Sequence, residues 1–207
     1  MPYDNRRREE AARSTRSRIL EVARESFLAH GFGGTTIREV AEQAGVSQET
    51  IYKSIGGKAA LLKAVYDVSL VGDDEKIPLM ERPEAIAVRD ARSRSAAALA
   101  YAELAGVIAA RIDPLLRVLA GARDTDPALA EFVRTTDQER RRGAEFYVRR
   151  WAEAGWLRDD LTLEHAVDSL WALNTAEPRW LLLDHGWSQG EYAGWLAGLI
   201  RRTLFRP

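Results

Sequence analysis

Between Thr36 and Gly57 the chain reads TIREVAEQAGVSQETIYKSIGG, two helices that are each too short to persist alone, joined by a turn centred on glycine. Thr36-Ile37-Arg38-Glu39 fits a capping box, in which the threonine oxygen takes a backbone N–H and the glutamate reaches back to the cap residue. Val40, Ala41 and Ala44 give that first helix an apolar face, and Gly45 ends it. Ser47 stands where it can cap the second, while Val46 and Ile51 occupy the positions of a hydrophobic staple. Two helices linked by about three residues including a glycine make a helix-turn-helix unit, which needs further helices to pack on.

The flanking sequence supplies them. Ile19, Leu20, Ala23, Phe27 and Leu28 recur at three- and four-residue steps before Gly31, so an amphipathic helix with a glycine stop precedes the unit. After Gly56-Gly57, Lys58 opens a fourth helix carried by Leu61, Leu62, Val65 and Val68. A lysine in a first helical turn opposes the helix dipole, which points to a phosphate contact rather than to stability. Packing through Ile51 and Ile55 leaves Gln48, Glu49, Thr50, Tyr52 and Lys53 facing outward, and in such a unit that face enters the DNA major groove.

Gly72-Asp73-Asp74, followed by Pro78 and Pro83, interrupts the period and predicts a linker. Beyond it the spacing predicts an alanine-rich helix from Glu84 to Ile112, then a short one that Asp113-Pro114 opens and that ends near Gly121. Asp126-Pro127 repeats the device and starts a long helix through Leu129, Phe132, Val133, Phe146, Tyr147 and Trp151 to Gly155. Thr162 caps a helix containing Ala166, Leu170, Trp171 and Leu173, with a kink or break predicted at Pro178. Ser188 and Glu191 form another capping box, and Tyr192, Trp195, Leu196, Leu199, Ile200 and Leu204 line the last helix. No strand-like alternation and no repeat interrupts this series, so the fold class is all-α.

Composition narrows the chemistry. The 207 residues contain no cysteine, which excludes disulfides, thiolate nucleophiles and zinc-cysteine sites. None of the three histidines, His30, His165 and His185, has a glutamate three residues before it, as a di-iron helical bundle requires. A G-x-S-x-G elbow is missing, and Gly31-Phe32-Gly33-Gly34 lies between helices rather than after a strand, so it reads as a turn and not a phosphate loop. These features predict a protein that is not an enzyme and carries no cofactor. With no run of 18 apolar residues and no apolar stretch behind the N-terminal arginines, the expectation is a cytoplasmic protein with no membrane partner. The formal net charge of -1 conceals a split: residues 1–65 carry 11 Lys+Arg against 8 Asp+Glu, and the remainder 19 against 23. Arg6, Arg7, Arg8, Arg13, Arg16 and Arg18 supply most of the positive side, which suits a polyanion.

Residues 31–66, GFGGTTIREVAEQAGVSQETIYKSIGGKAALLKAVY, keep the order Thr-Thr, Ala-x-x-Ala-Gly-Val-Ser, Thr-Ile-Tyr, Gly-Lys and Leu-Leu without gaps, and on these the chain resembles the TetR family of bacterial transcription regulators. The resemblance implies a helix-turn-helix three-helix DNA-binding domain over 1–58 with its N-terminal arm, a connecting helix and linker over 59–80, and a larger helical dimerisation and ligand domain over 81–207. It further implies that Thr36 meets a phosphate, that Arg38 lies beside the groove, that Ser47, Gln48, Glu49, Thr50 and Lys53 face bases or backbone, and that Tyr52 and Lys58 meet phosphates. Lys53-Ser54-Ile55-Gly56-Gly57 departs from the many relatives that have aromatic residues after the tyrosine, phenylalanine at the position of Ile55, and proline or serine where the glycines stand. The family's last two helices form a four-helix dimer interface, which here would use Trp195, Leu196, Leu199 and Ile200. Its preceding helices enclose a small-molecule pocket, for which Tyr101, Leu104, Ile108, Phe146, Trp171 and Asn174 are the candidates, each of which also fits plain core packing. The function so implied is a homodimeric regulator, a repressor that binds a palindromic double-stranded DNA operator and is released by an unidentified small-molecule effector, the signal passing through the fourth helix from Lys58 to Val71. The alternative is a helical small-molecule-binding protein or enzyme whose front domain does not bind DNA.

Overall fold

The computed structural model describes residues 2–73, 77–120 and 126–207, with residues 2–6 as backbone only. Asp74 of the expected linker, the expected helix end at Gly121 and the side chain of Arg6 lie outside the described residues. Ten α-helices are described: α1 Pro2–Gly34, α2 Ile37–Gln43, α3 Gln48–Ser54, α4 Lys58–Val71, α5 Pro83–Arg89, α6 Arg94–Ala120, α7 Pro127–Glu153, α8 Leu163–Leu173, α9 Ala176–Asp184 and α10 Gln189–Leu204. The described residues form no strand, and Leu157 and Phe205 make an isolated β-bridge. Two compact units result, one of Met1–Glu75 with Arg111–Val133, the other of Lys76–Ala110 with Arg134–Pro207. The sequence division at 58 and 80 runs along the chain, whereas the structural division returns the end of α6 and the start of α7 to the front helices.

In the front unit the apolar spacing of α1 closes on Ile19, Ala23 and Phe27, all with no exposed surface, and Gly31 breaks the helix with φ 68°. The carbonyl of Gly31 accepts a 2.8 Å hydrogen bond from the buried Thr35 hydroxyl, which in turn accepts one of 3.2 Å from Ser26. Both caps expected for the short helices exist. Thr36 Oγ1 accepts from the Glu39 N–H, although the Glu39 carboxylate takes the Thr36 hydroxyl rather than the cap backbone, so the box closes through the side chain. Ser47 Oγ accepts from the Thr50 N–H at 3.1 Å, and Ile51 is fully buried. Ile55, expected to pack beside it, is half-buried, because it is the residue that ends α3 and its backbone has left helical geometry. Leu115 and Leu119 of α6 and Leu129 and Phe132 of α7 complete this core, with the Phe132 ring edge-on to Tyr66 at 5.3 Å.

The rear unit buries Tyr101, Tyr147, Trp151, Leu170, Tyr192, Leu196, Ile200 and Leu204 in a shared core. The expected alanine-rich helix is divided into α5 and α6, because Ser93 caps a new start by accepting from the Ala96 N–H at 3.2 Å. Conversely, Asp113-Pro114 opens no helix, and α6 runs through the proline. An interior proline costs about 3 kcal/mol. Ile112, Leu115 and Leu119 are 8%, 1% and 3% exposed, and burying such side chains contributes about 1.5–3 kcal/mol each, which outweighs that cost. Asp126-Pro127 does open α7, Asp126 Oδ1 accepting from the Ala128 N–H at 2.8 Å. The break predicted from Pro178 falls at Asn174-Thr175, and the proline itself sits in the first turn of α9 where no intrahelical bond is lost. The Ser188–Glu191 box is complete in both directions.

Gly45 and Gly72 take φ 64° and 97°, the left-handed region. A Cβ at Gly45 would meet nothing within 4 Å, so Gly45→Ala costs the backbone penalty alone, about 1–2 kcal/mol. A Cβ at Gly72 would stand 2.7 Å from the Arg111 guanidinium carbon, so Gly72→Ala also displaces the arginine that donates a 2.9 Å bond to the Val71 carbonyl at the end of α4. Urea unfolding monitored by circular dichroism should show both variants destabilised, Gly72→Ala the more severely.

Candidate functional site

A seven-residue helix presents one outward face, and α3 is fixed at its start by the Ser47 cap and at its centre by Ile51. That leaves Gln48, Glu49, Tyr52 and Lys53 exposed, Tyr52 at 56%, and Thr50 half-buried. Arg38, on the adjacent α2, is exposed as well. Arg38, Gln48 and Tyr52 make no side-chain hydrogen bond or ion pair among the described residues, so their polar atoms are free for an external partner. Lys53 is paired with Glu49 at 2.6 Å, and with both side chains more than 70% exposed the pair is worth little and exchanges readily. A free guanidinium, amide and phenol beside a labile lysine form a surface suited to phosphates and base edges.

Four of the expected contact residues are engaged internally. The Thr36 hydroxyl donates to Glu39 at 2.7 Å, and Ser47 Oγ lies 2.9 Å from Thr50 Oγ1. Lys58 donates to the Phe32 carbonyl at 2.8 Å and sits 4.4 Å over the Phe32 ring. That contact accounts for a lysine in the first turn of α4 without any phosphate, since the carbonyl and the ring face offset the opposing dipole. The basic side chains Arg7, Arg8 and Arg13 of α1 are exposed, and Arg18, also exposed, donates to the Ala44 carbonyl at 2.8 Å, closing the end of α2.

In the rear unit, Tyr101, Trp171 and Asn174 of the expected pocket residues converge. Asn174 Nδ2 lies 3.4 Å from the Tyr101 hydroxyl, and the Trp171 indole nitrogen is buried with no acceptor among the described residues. Arg140 of α7, which sequence spacing does not single out, organises the group: it donates at 2.8 Å to the carbonyls of both Trp171 and Asn174, pairs with Asp137, and lies 5.2 Å over the Trp171 ring. It thereby satisfies the carbonyls at the end of α8 that the approach of Pro178 leaves open. Burial pushes the Tyr101 phenol well above its ordinary range, and the Tyr147 phenol, 3.4 Å from the Ala85 carbonyl, up to about 12. Leu104 is core and Ile108 packs at its margin, but Phe146 is 38% exposed, its ring edge-on to Tyr147 at 5.2 Å.

The expected dimer residues divide. Leu196 and Ile200 have no exposed surface and belong to the protomer's own core, because the stripe on α10 is wide enough to be covered partly from within. Trp195 and Leu199 remain half-buried, and the Trp187 ring, 37% exposed, stands edge-on to Trp195 at 6.4 Å. Trp151, one of the six tryptophans grouped after residue 150, is 2% exposed and is a core residue too.

Residues 19–65 match the sequence model of the bacterial regulatory proteins of the tetR family. The uncharacterized HTH-type transcriptional regulator YdeS of Bacillus subtilis (strain 168) is 30% identical over 158 residues, 76% of this chain and 74% of that protein. TtgR of Pseudomonas putida, also an HTH-type transcriptional regulator, is 40% identical over 62 residues, which cover 30% of each. Among solved structures, a TetR transcriptional regulator from Chloroflexus aurantiacus superposes with a TM-score of 0.65 at 22% identity, covering 96% of this chain and 100% of that one. SmeT, in its complex with triclosan, gives 0.67 at 18% identity over 93% and 92%. These two share the fold.

The raised Tyr147 phenol has a consequence for stability. Because the folded state favours the protonated form, its contribution is intact below pH 10 and is lost as the pH rises through about 12. Tyr147→Phe should flatten the decline of stability over that window by up to about 1.4 kcal/mol per pH unit, measured by urea unfolding at successive pH values. An unchanged slope would remove Tyr147 from the alkaline titration.

Proposed function

The chain belongs to the TetR family of bacterial regulatory proteins, a helix-turn-helix transcription regulator, and from that premise we propose that it is a cytoplasmic repressor acting as a homodimer on a palindromic operator. The observation that carries this reading is the α3 surface: a short helix fastened by Ser47 and Ile51 with Arg38, Gln48 and Tyr52 unpartnered beside it. Two such helices about 34–36 Å apart engage successive major grooves, so the dimer sets the operator spacing. The dimer face is the Trp195–Leu199 stripe of α10 with Trp187, aromatic and half-buried in the protomer, of the composition that interfaces favour. Lys58 takes part in phosphate contact through donors left over from its internal bond, since an ammonium has three and one is used on Phe32.

Release is by a small molecule. SmeT binds triclosan, and a comparable ligand here would meet the Tyr101 hydroxyl, the Asn174 amide and the unpaired Trp171 indole N–H, with Leu104 and Ile108 as apolar wall. The signal reaches α4 through Arg111, which joins α6 to the last carbonyl of that helix. A coupling of about 1–3 kcal/mol weakens operator binding about 5- to 150-fold.

Gel shifts with duplexes from the flanking genomic region should reveal a palindrome bound in preference to scrambled DNA. Arg38→Ala and Tyr52→Ala should each weaken that complex by about 1–3 kcal/mol, and Lys53→Ala should lower affinity for all sequences and reduce the salt slope by about one. Trp195→Glu with Leu199→Glu should yield a folded monomer by analytical ultracentrifugation that no longer shifts the palindrome. A helical ligand-binding protein with an idle front domain would bind no duplex selectively and lose nothing in these variants.

A further inference from the structure

The rear unit holds a cleft of ≈ 870 Å³ whose lining includes Arg94, Arg158, Arg201, Arg202 and Arg206, with Ser95 beside them. Five guanidiniums around one concavity repel one another unless anions intervene, and the cleft offers two carboxylate side chains, Asp159 and Asp160. Arg158 engages Asp160 through both arms, at 2.9 and 2.6 Å, and Arg206 engages Asp159 while donating to the Leu157 carbonyl. The other three form no ion pair with an Asp or Glu side chain among the described residues. Arg94 donates to main-chain oxygens of Arg206 and Pro207, at 2.5 and 2.9 Å. Arg201 and Arg202 make no ion pair and no side-chain hydrogen bond among the described residues, and both are exposed. Room for Arg202 comes from Gly198, where a Cβ would stand 3.2 Å from the guanidinium.

A second source of positive potential enters the same space. Arg94 and Ser95 are the first two residues of the 27-residue α6, so the positive end of its dipole joins Arg201 and Arg202. A volume of this size lies within the range of small-molecule sites. A planar guanidinium offers two parallel N–H bonds that match a phosphate group, and several in one cleft select a ligand with several such groups. We propose that this cleft binds a phosphorylated small molecule carrying two or more phosphate groups, at a site separate from the Tyr101–Asn174 interior. The site is made from residues of α6, the loop after α7 and the end of α10, and the unpaired Arg201 is its principal anion contact.

Arg202 follows Leu199 by three residues and so continues the stripe assigned to the dimer, whereas Arg201 lies off it, which makes Arg201 the cleaner probe. Titration calorimetry on the full chain with inorganic triphosphate, and separately with ATP, should give saturable binding with one site per chain. Arg201→Ala should weaken it about tenfold or more, with Arg201→Lys in between, and the melting temperature of the free variant should match the parent. Arg38→Ala should leave triphosphate binding intact, which separates the cleft from the DNA-facing surface. Binding of ATP but not triphosphate would assign the site to nucleotides, and equal binding of both to the phosphate chain alone, each in support. Absence of binding to either, affinity unchanged in Arg201→Ala, loss in Arg38→Ala, or citrate binding as tightly as triphosphate would each overturn the proposal.

Discussion

The burial of Ile51 is the contact on which the rest of the front unit depends. A helix of seven residues makes too few intrahelical bonds to persist in water, so α3 exists because one side chain is withdrawn completely into the core and Ser47 closes its first turn. Everything outward-facing on that helix inherits its position from these two residues. The glycine at 45 matters for the same reason, since its left-handed backbone turns the chain between α2 and α3 without a loop long enough to blur the geometry. Affinity for DNA then depends on side chains whose own entropy is lost at binding, but not on folding a helix at that moment.

How much of this could be read from the sequence varies with how local the cause is. Caps, glycine stops and apolar spacing act within four residues, and the starts of α2, α3, α7, α8 and α10 follow from Thr36, Ser47, Asp126-Pro127, Thr162 and Ser188. Where a distant residue decides, local reasoning misleads. Pro114 reads as a helix start, yet α6 continues because apolar side chains beyond it are buried by other helices. The internal partner of Lys58, the Phe32 carbonyl, lies 26 residues away and is likewise invisible to local spacing. Leu196 and Ile200 belong to the same periodic stripe as Trp195 and Leu199, and spacing alone does not say which part of a wide stripe the protomer covers for itself.

The rear unit shows the same limit in its polar groups. Arg140 is one of many arginines along α7, and its hold on the end of α8 becomes visible when the carbonyls of Trp171 and Asn174 are seen to converge on it. The arginine cleft gathers residues from positions 94, 158 and 201–206, a separation no motif encodes. A near-neutral chain can therefore carry two distinct cationic surfaces, one at the front and one in this cleft, each balanced elsewhere by carboxylates.

Hydrogen exchange resolved to single amides, with and without a bound operator duplex, tests the central claim most directly. If α3 is a preformed rod, the Ile51 to Ile55 amides are protected in the free protein, and DNA lowers exchange further across α2 and α3 while leaving the end of α10 unaltered. Exchange of those amides at unfolded-chain rates before DNA is added, or protection on binding that bypasses α3, would contradict the account.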